Sequence, residues 1–242
     1  MTRKPGLILA VLLAAFMMVS GFDANAAKAK ARVSFLSGAA HWAKTKKGPW
    51  KKLKKGQAVH DKWWVKTAAD TRLELKLADK SVLRLAADTI IHLENLVYSK
   101  KKNKKVYKAK LVAGKAWARV TSLFGNDSSF EVKTRNAVAG VRGTVFRVDV
   151  AKDTSTLVRV YSGVVAVSNA PVYARKTKGG KRVEVAGPHE ISRKQWEEYV
   201  AKAMQEVRVS AKGEISKPRA FTADEDKDDW VAWNQERDQS LP

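Results

Sequence analysis

Between residues 71 and 93 the chain alternates apolar and polar side chains and breaks that alternation only briefly. Leu73, Leu75 and Leu77 alternate with Arg72, Glu74 and Lys76. Successive side chains of a strand point to opposite faces, so this is the pattern of a strand buried on one side. Ala78-Asp79-Lys80 interrupts the run, Leu83 and Leu85 resume it, and Ala86-Ala87-Asp88 interrupts it again before Ile91 and Leu93. The same strand–turn–strand unit returns downstream. Tyr107, Ala109 and Leu111 lead through Ala113-Gly114-Lys115 to Ala116, Ala118 and Val120; Phe130 and Val132 precede Phe146, Val148 and Val150; Val158 and Val160 lead through Ser162-Gly163 to Val165 and Val167. Short strands separated by Gly or Asp breaks predict a mainly β fold. The pattern leaves sandwich, barrel and solenoid open.

The flanks read differently. Residues 1–26 carry Arg3 and Lys4, an uncharged apolar run over residues 7–19, and Ala24-Asn25-Ala26. That is the layout of a secretory signal peptide cleaved before Ala27, and the run is shorter than the ~20 residues of a membrane-spanning helix. The expected location is therefore periplasmic or secreted. Residues 27–64 read as a small N-terminal β piece around Val33-Ser34-Phe35-Leu36 and Trp50-Lys51-Lys52-Leu53, continuous with a main β domain over residues 65–190. Residues 191–242 read as a helical C-terminal extension with an acidic end. Ser192 to Gln195 fits a capping box, and Trp196, Tyr199, Val200, Ala203 and Val207 fall at helical spacing. Thr222-Ala223-Asp224-Glu225 repeats the capping pattern ahead of Trp230 and Trp233.

There is no cysteine, which excludes disulfides, thiolate metal sites and a cysteine-linked lipid anchor. Lys and Arg number 47 against 24 Asp and Glu, a formal net charge of +23. Charge of this size governs solubility and attraction to polyanions rather than fold. For an exported protein the polyanions within reach are lipid headgroups, lipopolysaccharide, acidic cell-wall polymers and extracellular DNA. An envelope protein or such an anionic polymer is the expected partner; peripheral membrane contact is compatible with it, and no specific nucleic acid is expected. The oligomeric state is left open.

The candidate polyanion-binding residues are Lys51, Lys52, Lys54 and Lys55 beside Trp50, and Lys100, Lys101, Lys102, Lys104 and Lys105. Arg175, Lys176, Lys178, Lys181 and Arg182 form a third basic run. Each run is either a solvated loop or, if the runs converge, one side of a binding face. In Trp63-Trp64 one indole of the pair must face outward from a strand; it is either a platform for a carbohydrate or partner, or packed under the N-terminal piece. The acids clustered over residues 224–229 lack the alternating oxygen ligands and glycine of a calcium loop. They read as a solvated helix start or an internal partner for the basic body. His41, His60, His92 and His189 lie far apart, and no G-x-S-x-G is present. No catalytic residue, metal or cofactor is expected, and the chain does not read as an enzyme.

Gly140-Val141-Arg142-Gly143 is formally a GxxG. Its flanks read as strands, whereas the nucleic-acid clamp of KH domains joins helices, and it lacks the Gly-Lys-Ser/Thr ending of a phosphate loop. A tight turn with Arg142 bonding neighbouring carbonyls is the better account. With Thr144 and Phe146, this block is similar to the core motif of the FecR-domain family. The likeness extends over residues 65–167, from Val65-Lys66-Thr67 through the turn at Asp79-Lys80-Ser81, Gly114 and Phe130-Glu131-Val132 to Gly163, and weakly back to Val33. Lys80 and Arg135 stand where the family usually carries glycine and often carries proline. The resemblance implies a β-solenoid or β-helix-like domain of short strands. It also implies an exported, non-catalytic binding or scaffold protein of the bacterial envelope. The alternative is a component of envelope signal transduction resembling FecR-type sigma-factor regulators.

Overall fold

A computed structural model describes residues 31–99, 101–102, 104–121, 128–141, 143–169 and 200–241. Those residues form seventeen strands and one α-helix. In chain order the strands are β1 (Ala31–Ser37), β2 (Ala40–Ala43), β3 (Lys51–Lys52), β4 (Ala58–Val59), β5 (Trp64–Thr67), β6 (Arg72–Leu77), β7 (Val82–Leu85), β8 (Ile90–Ser99) and β9 (Lys104–Arg119). They continue with β10 (Ser129–Lys133), β11 (Ala137–Val141), β12 (Val145–Val150), β13 (Thr156–Ser162), β14 (Val164–Asn169), β15 (Val200–Lys202), β16 (Gln205–Val209) and β17 (Arg219–Ala220).

Hydrogen bonding links them into one open sheet that folds on itself along β9, giving two layers. The first runs β4-β1-β6-β7-β9-β12-β13-β16-β17 and the second β3-β2-β5-β8-β9-β10-β11-β14-β15. Residues 104–113 of β9 pair with β8 in the second layer, and residues 114–119 pair with β12 in the first. One apolar core lies between the layers. Leu73, Leu75, Leu83, Leu85 and Phe146 enter it from one side, and Val65, Ile91, Leu93, Leu111 and Val132 from the other. The alternation in sequence is the alternation between this core and the two outer faces. The mainly β expectation holds; the observed architecture is a layered open sheet, and the solenoid reading goes beyond it.

What reads in sequence as a turn at Ala113-Gly114-Lys115 is a bend inside a continuous strand. At Gly114 φ is +86°, and a Cβ there would stand 2.6 Å from the Cα of Thr89. Only glycine allows β9 to pass between layers at that spot. A similar corner joins β13 to β14: Gly163 has φ +82°, and its Cβ would lie 2.6 Å from the carbonyl oxygen of Gly143. Among the described residues, chain breaks are therefore layer crossings more often than hairpins.

The C-terminal region corrects the helical expectation in part. Residues 200–209 form strands β15 and β16 rather than a helix. Ala201, Val207 and Val209 are fully buried, and β16 supplies ladder partners to the edge of β13, bonds a helix would leave unmade. The remainder of that expected helix, residues 192–199, lies outside the described residues, as do residues 1–26. Thr222 and Glu225 do exchange the two capping-box hydrogen bonds, 3.1 and 3.2 Å, but these hold only a 3-10 turn at Asp224–Asp226. Helix α1 (Asp229–Gln239) starts at a different cap, Asp228, which accepts from the Val231 amide at 2.7 Å. No helix among the described residues is long and apolar enough to cross a membrane.

The corner geometry separates two glycines of similar appearance. Gly140 is not at positive φ, and a Cβ there would meet nothing within 4 Å. Gly163→Ala should lower stability by roughly 1–3 kcal/mol, whereas Gly140→Ala should leave it unchanged or slightly raised. Equal melting temperatures for the two variants would contradict this account of the corner.

Candidate binding surfaces

The glycine block is a layer crossing. Val141 ends β11 in the second layer, and Phe146 lies in the core beside Phe130, ring centres 6.1 Å apart. Between them Gly143 has φ +67°, and buried Thr144 donates to the Val164 carbonyl at 3.1 Å. Arg142 lies outside the described residues. Gly143, Thr144 and Phe146 thus hold the fold's corner, and Gly140 and Val141 end the strand that leads into it.

The outer face of the second layer is cationic. Trp64, His92, Lys110 and Lys133 stand in register on four neighbouring strands, and the Trp64 and His92 rings stack at 4.5 Å. Lys52, His41 and Lys66 form a parallel row, with the Lys66 ammonium 4.4 Å from the centre of the Trp50 ring. Lys108 lies on the same face, 3.0 Å from Glu131, whose other oxygen is 3.7 Å from Lys133. Among the described residues no helix packs here. Trp63 faces the other way, stacked 3.6 Å from Trp42 against the core, so the outward member of the tryptophan pair is Trp64.

The lysine runs picked out from sequence do not converge. Lys52 belongs to the row level with Ile90, while Lys104 pairs with Ser99 at the far end of β8. At the rise of an extended strand that is about 30 Å. Lys51 lies over the Trp42 ring at 5.6 Å, and Lys54 and Lys55 are exposed in the turn after β3. Lys101 and Lys102 are exposed at the β8–β9 tip, and Lys105 is held 3.6 Å from the buried Asp79 carboxylate. Lys100 and the run from Arg175 to Arg182 lie outside the described residues. Of the cations that share a face, Lys52 belongs to a run visible in sequence, while Lys66, Lys108, Lys110 and Lys133 come one or two per strand and form none.

The first layer's outer face carries a row that crosses eight strands in register: Phe35, Glu74, Arg84, Trp117, Arg147, Arg159, Glu206 and Arg219. Glu74, Arg84, Arg147, Arg159 and Glu206 are all buried, because residues 221–241 lie over them as a strap. Arg84 meets Glu74 at 2.8 Å and Asp238 at 2.7 Å, and the Trp117 indole donates to Asp238 at 2.9 Å. Asp226 bridges Arg147, at 2.8 Å, and Arg159, and accepts from the Tyr161 hydroxyl. Arg159 also meets Glu206 at 2.7 Å, and Arg237 of the strap reaches back to Glu74 at 2.9 Å.

This network sets the titration of its members. Burial pushes the Glu74 carboxyl up, but hydrogen bonds from Arg237, Ser34 and Arg84 outweigh it and hold the group at about 2. Burial also raises Asp149, to about 6, against the pull of Arg147 and Lys115. Glu206 and Asp228 are held below the usual range: burial works against this, and hydrogen bonds from Arg159 and Arg219 to Glu206 and from the Val231 amide to Asp228 prevail. Among the described residues no group of three or more His, Asp or Glu is placed to hold a metal ion.

Glu74 is ionised more readily folded than unfolded, so its stabilisation is complete above pH 4.5 and is lost as pH falls toward 2. Asp149 acts in the opposite sense. Its contribution is complete below pH 3.8 and fades as pH rises through about 6. Melting curves between pH 2 and 7 should show Glu74→Gln with a flatter acid limb, the lost dependence amounting to at most about 3 kcal/mol. An unchanged acid limb would assign the acid sensitivity to other carboxylates.

No curated protein matches the chain. Among solved structures, two crystal structures of a candidate anti-sigma factor from Parabacteroides distasonis, at 1.65 and 2.50 Å resolution, resemble it. The first has a TM-score of 0.47 and 19% identity, covering 71% of this chain and 64% of that one. For the second the TM-score is 0.44 and the identity 18%, covering 66% and 60%. The chain thus spans less than two thirds of those chains, and likeness at this level adds nothing to the reading of the two faces. The family model described as FecR protein matches residues 64–166, from the start of β5 to the third residue of β14. This stretch takes in the layer-crossing strand β9 and the glycine corner, and it is a FecR domain.

Proposed function

We propose that this chain is an exported, non-catalytic binding module of the bacterial envelope that presents the outer face of its second layer to an anionic polymer. The observation that carries the reading is the contrast between the two outer faces. The buried arginines of the first layer are neutralised by the strap, whereas Lys52, Lys66, Lys110 and Lys133 face outward, with Glu131 of the adjoining row 3.7 Å from Lys133. Several like charges on a flat surface attract a polyanion whose own charges repeat, and they do so without a cleft. The exported location rests on the signal-peptide layout of residues 1–26. A second reading, a component of envelope signal transduction resembling FecR-type sigma-factor regulators, is favoured by the FecR domain at residues 64–166. Deleting the gene would then change transcription of a set of genes under one alternative sigma factor.

Binding to purified lipopolysaccharide and to polygalacturonate should weaken steeply between low and physiological salt, where the Debye length falls to about 8 Å. Changing Lys66, Lys110 and Lys133 together to glutamine should weaken binding by about tenfold with little change in melting temperature, because such surface cations contribute little to stability. Binding indifferent to salt and to the triple substitution would rule out this face.

A further inference from the structure

The first layer holds a second feature that the strap leaves open. Beside the buried row, the next row of the same outer face is uncovered. Lys115, Asp149, Leu157 and Arg208 stand in register on β9, β12, β13 and β16, and Arg72 continues the line on β6. These residues floor a groove of about 1240 Å³. It crosses six strands, about 24 Å at the usual strand spacing. One wall is aromatic: Trp230 and Trp233 of α1 stack at 5.2 Å, and Phe35 lies 5.4 Å from Trp233.

Three properties define what such a groove can hold. Its length runs across the strands, so it takes a linear chain, and neighbouring floor residues are one strand spacing apart, close to the length of a single pyranose unit. Its charges are mixed, with Arg72, Lys115 and Arg208 set against Asp149, Asp229 and Glu214. A polyanion or a polycation would meet repulsion along part of its length, whereas hydroxyl groups, which donate and accept, suit both signs. Two buried polar atoms of its lining residues also lack any partner: the indole N–H of Trp230, a residue 7% exposed, and one carboxylate oxygen of Asp149. Both atoms have almost no accessible surface, so a ligand would satisfy them only if the Trp230 and Asp149 side chains turned toward the groove.

We propose that this groove is a binding site for a linear, uncharged polysaccharide segment, with Trp230 and Trp233 stacking on sugar rings and the floor residues bonding their hydroxyls. The site is separate from the cationic face, so the chain would grip two kinds of envelope polymer on opposite sides of one sandwich.

The test uses the intact mature chain with cellohexaose and chitohexaose as probes, followed by calorimetry and by NMR of the tryptophan indole N–H signals. At least one hexasaccharide should bind and shift the Trp230 and Trp233 signals. Trp233→Ala should weaken binding by about tenfold or more. Because Trp233 also packs on Phe35, Leu157→Trp serves as the second variant. It fills the floor and should abolish binding with the fold intact by circular dichroism. The Lys66, Lys110 and Lys133 glutamine substitutions should leave this binding unaltered, which separates it from the polyanion reading. Absence of any shift with either sugar, sugar binding that survives Leu157→Trp, or shifts caused only by a pool of random hexapeptides would overturn the proposal.

Discussion

Three buried arginines on one face of one sheet layer are the constraint around which the rest of the molecule is arranged. Moving a guanidinium out of water costs several kcal/mol unless carboxylates replace the lost solvation. Arg84, Arg147 and Arg159 are on strands that supply three such groups, Glu74, Glu206 and Asp149, and burial disfavours the ionised form of Asp149, 3.1 Å from Arg147. Glu206 is shared with Arg208 and Arg219 as well, so the sheet is still short of negative charge where Arg147 and Arg159 face each other directly across β12 and β13. The C-terminal strap makes up the deficit with Asp226 between the two arginines and Asp238 against Arg84. Asp228 does the same for Lys115 at the strap's edge, at 3.3 Å. The strap is therefore part of the fold, and the acidic end of a basic chain is explained by the charges it meets.

The same arrangement divides the surface. By closing the first layer's outer face, the strap leaves the second layer's face as the broad cationic surface. By stopping one row short of the strand ends, it creates the groove beneath Trp230 and Trp233. Trp233 joins the two features. Its ring lies 5.4, 5.7 and 5.2 Å from the guanidinium carbons of Arg72, Arg84 and Arg237, so the aromatic wall of the groove is fixed by cations of the ladder. Recognition at the groove would thus depend on Arg84 and Arg237, which lie outside its lining, as well as on Arg72 within it.

Much of the architecture could be read from residue order because the core imposes a period of two on every strand it contacts. Leu73-Leu75-Leu77 and Phe146-Val148-Val150 show it directly. The internal partner role of the acidic end was also within reach. What the period cannot show is which polar positions stay wet. Glu74 and Lys76 alternate identically with their leucines, yet Glu74 is buried and Lys76 exposed. The difference lies in Arg237, a residue 163 positions away. Helical spacing misled at Val200, Ala203 and Val207 because a strand pair with an intervening turn can place apolar residues at the same intervals, and the free edge of β13 decided the outcome. A short repeat also marks two of the layer crossings. Ala-Ala-Asp-Thr occurs at residues 68–71 and 86–89, and in both copies the Asp holds positive φ, 53° and 51°, at a turn between layers, with the Thr packed against Gly38 or Gly114.

A double-mutant cycle between Arg84 and Asp238, read by chemical denaturation, tests most directly whether the strap stabilises the fold by neutralising the ladder. Each single change, Arg84→Met or Asp238→Asn, should cost about 3–5 kcal/mol because it leaves an uncompensated charge in a buried site. The double variant should recover at least about 1 kcal/mol of the summed loss. Two small and strictly additive effects would mean that the strap covers the first layer without neutralising it, and charge compensation would lose its place as the constraint that organises the fold.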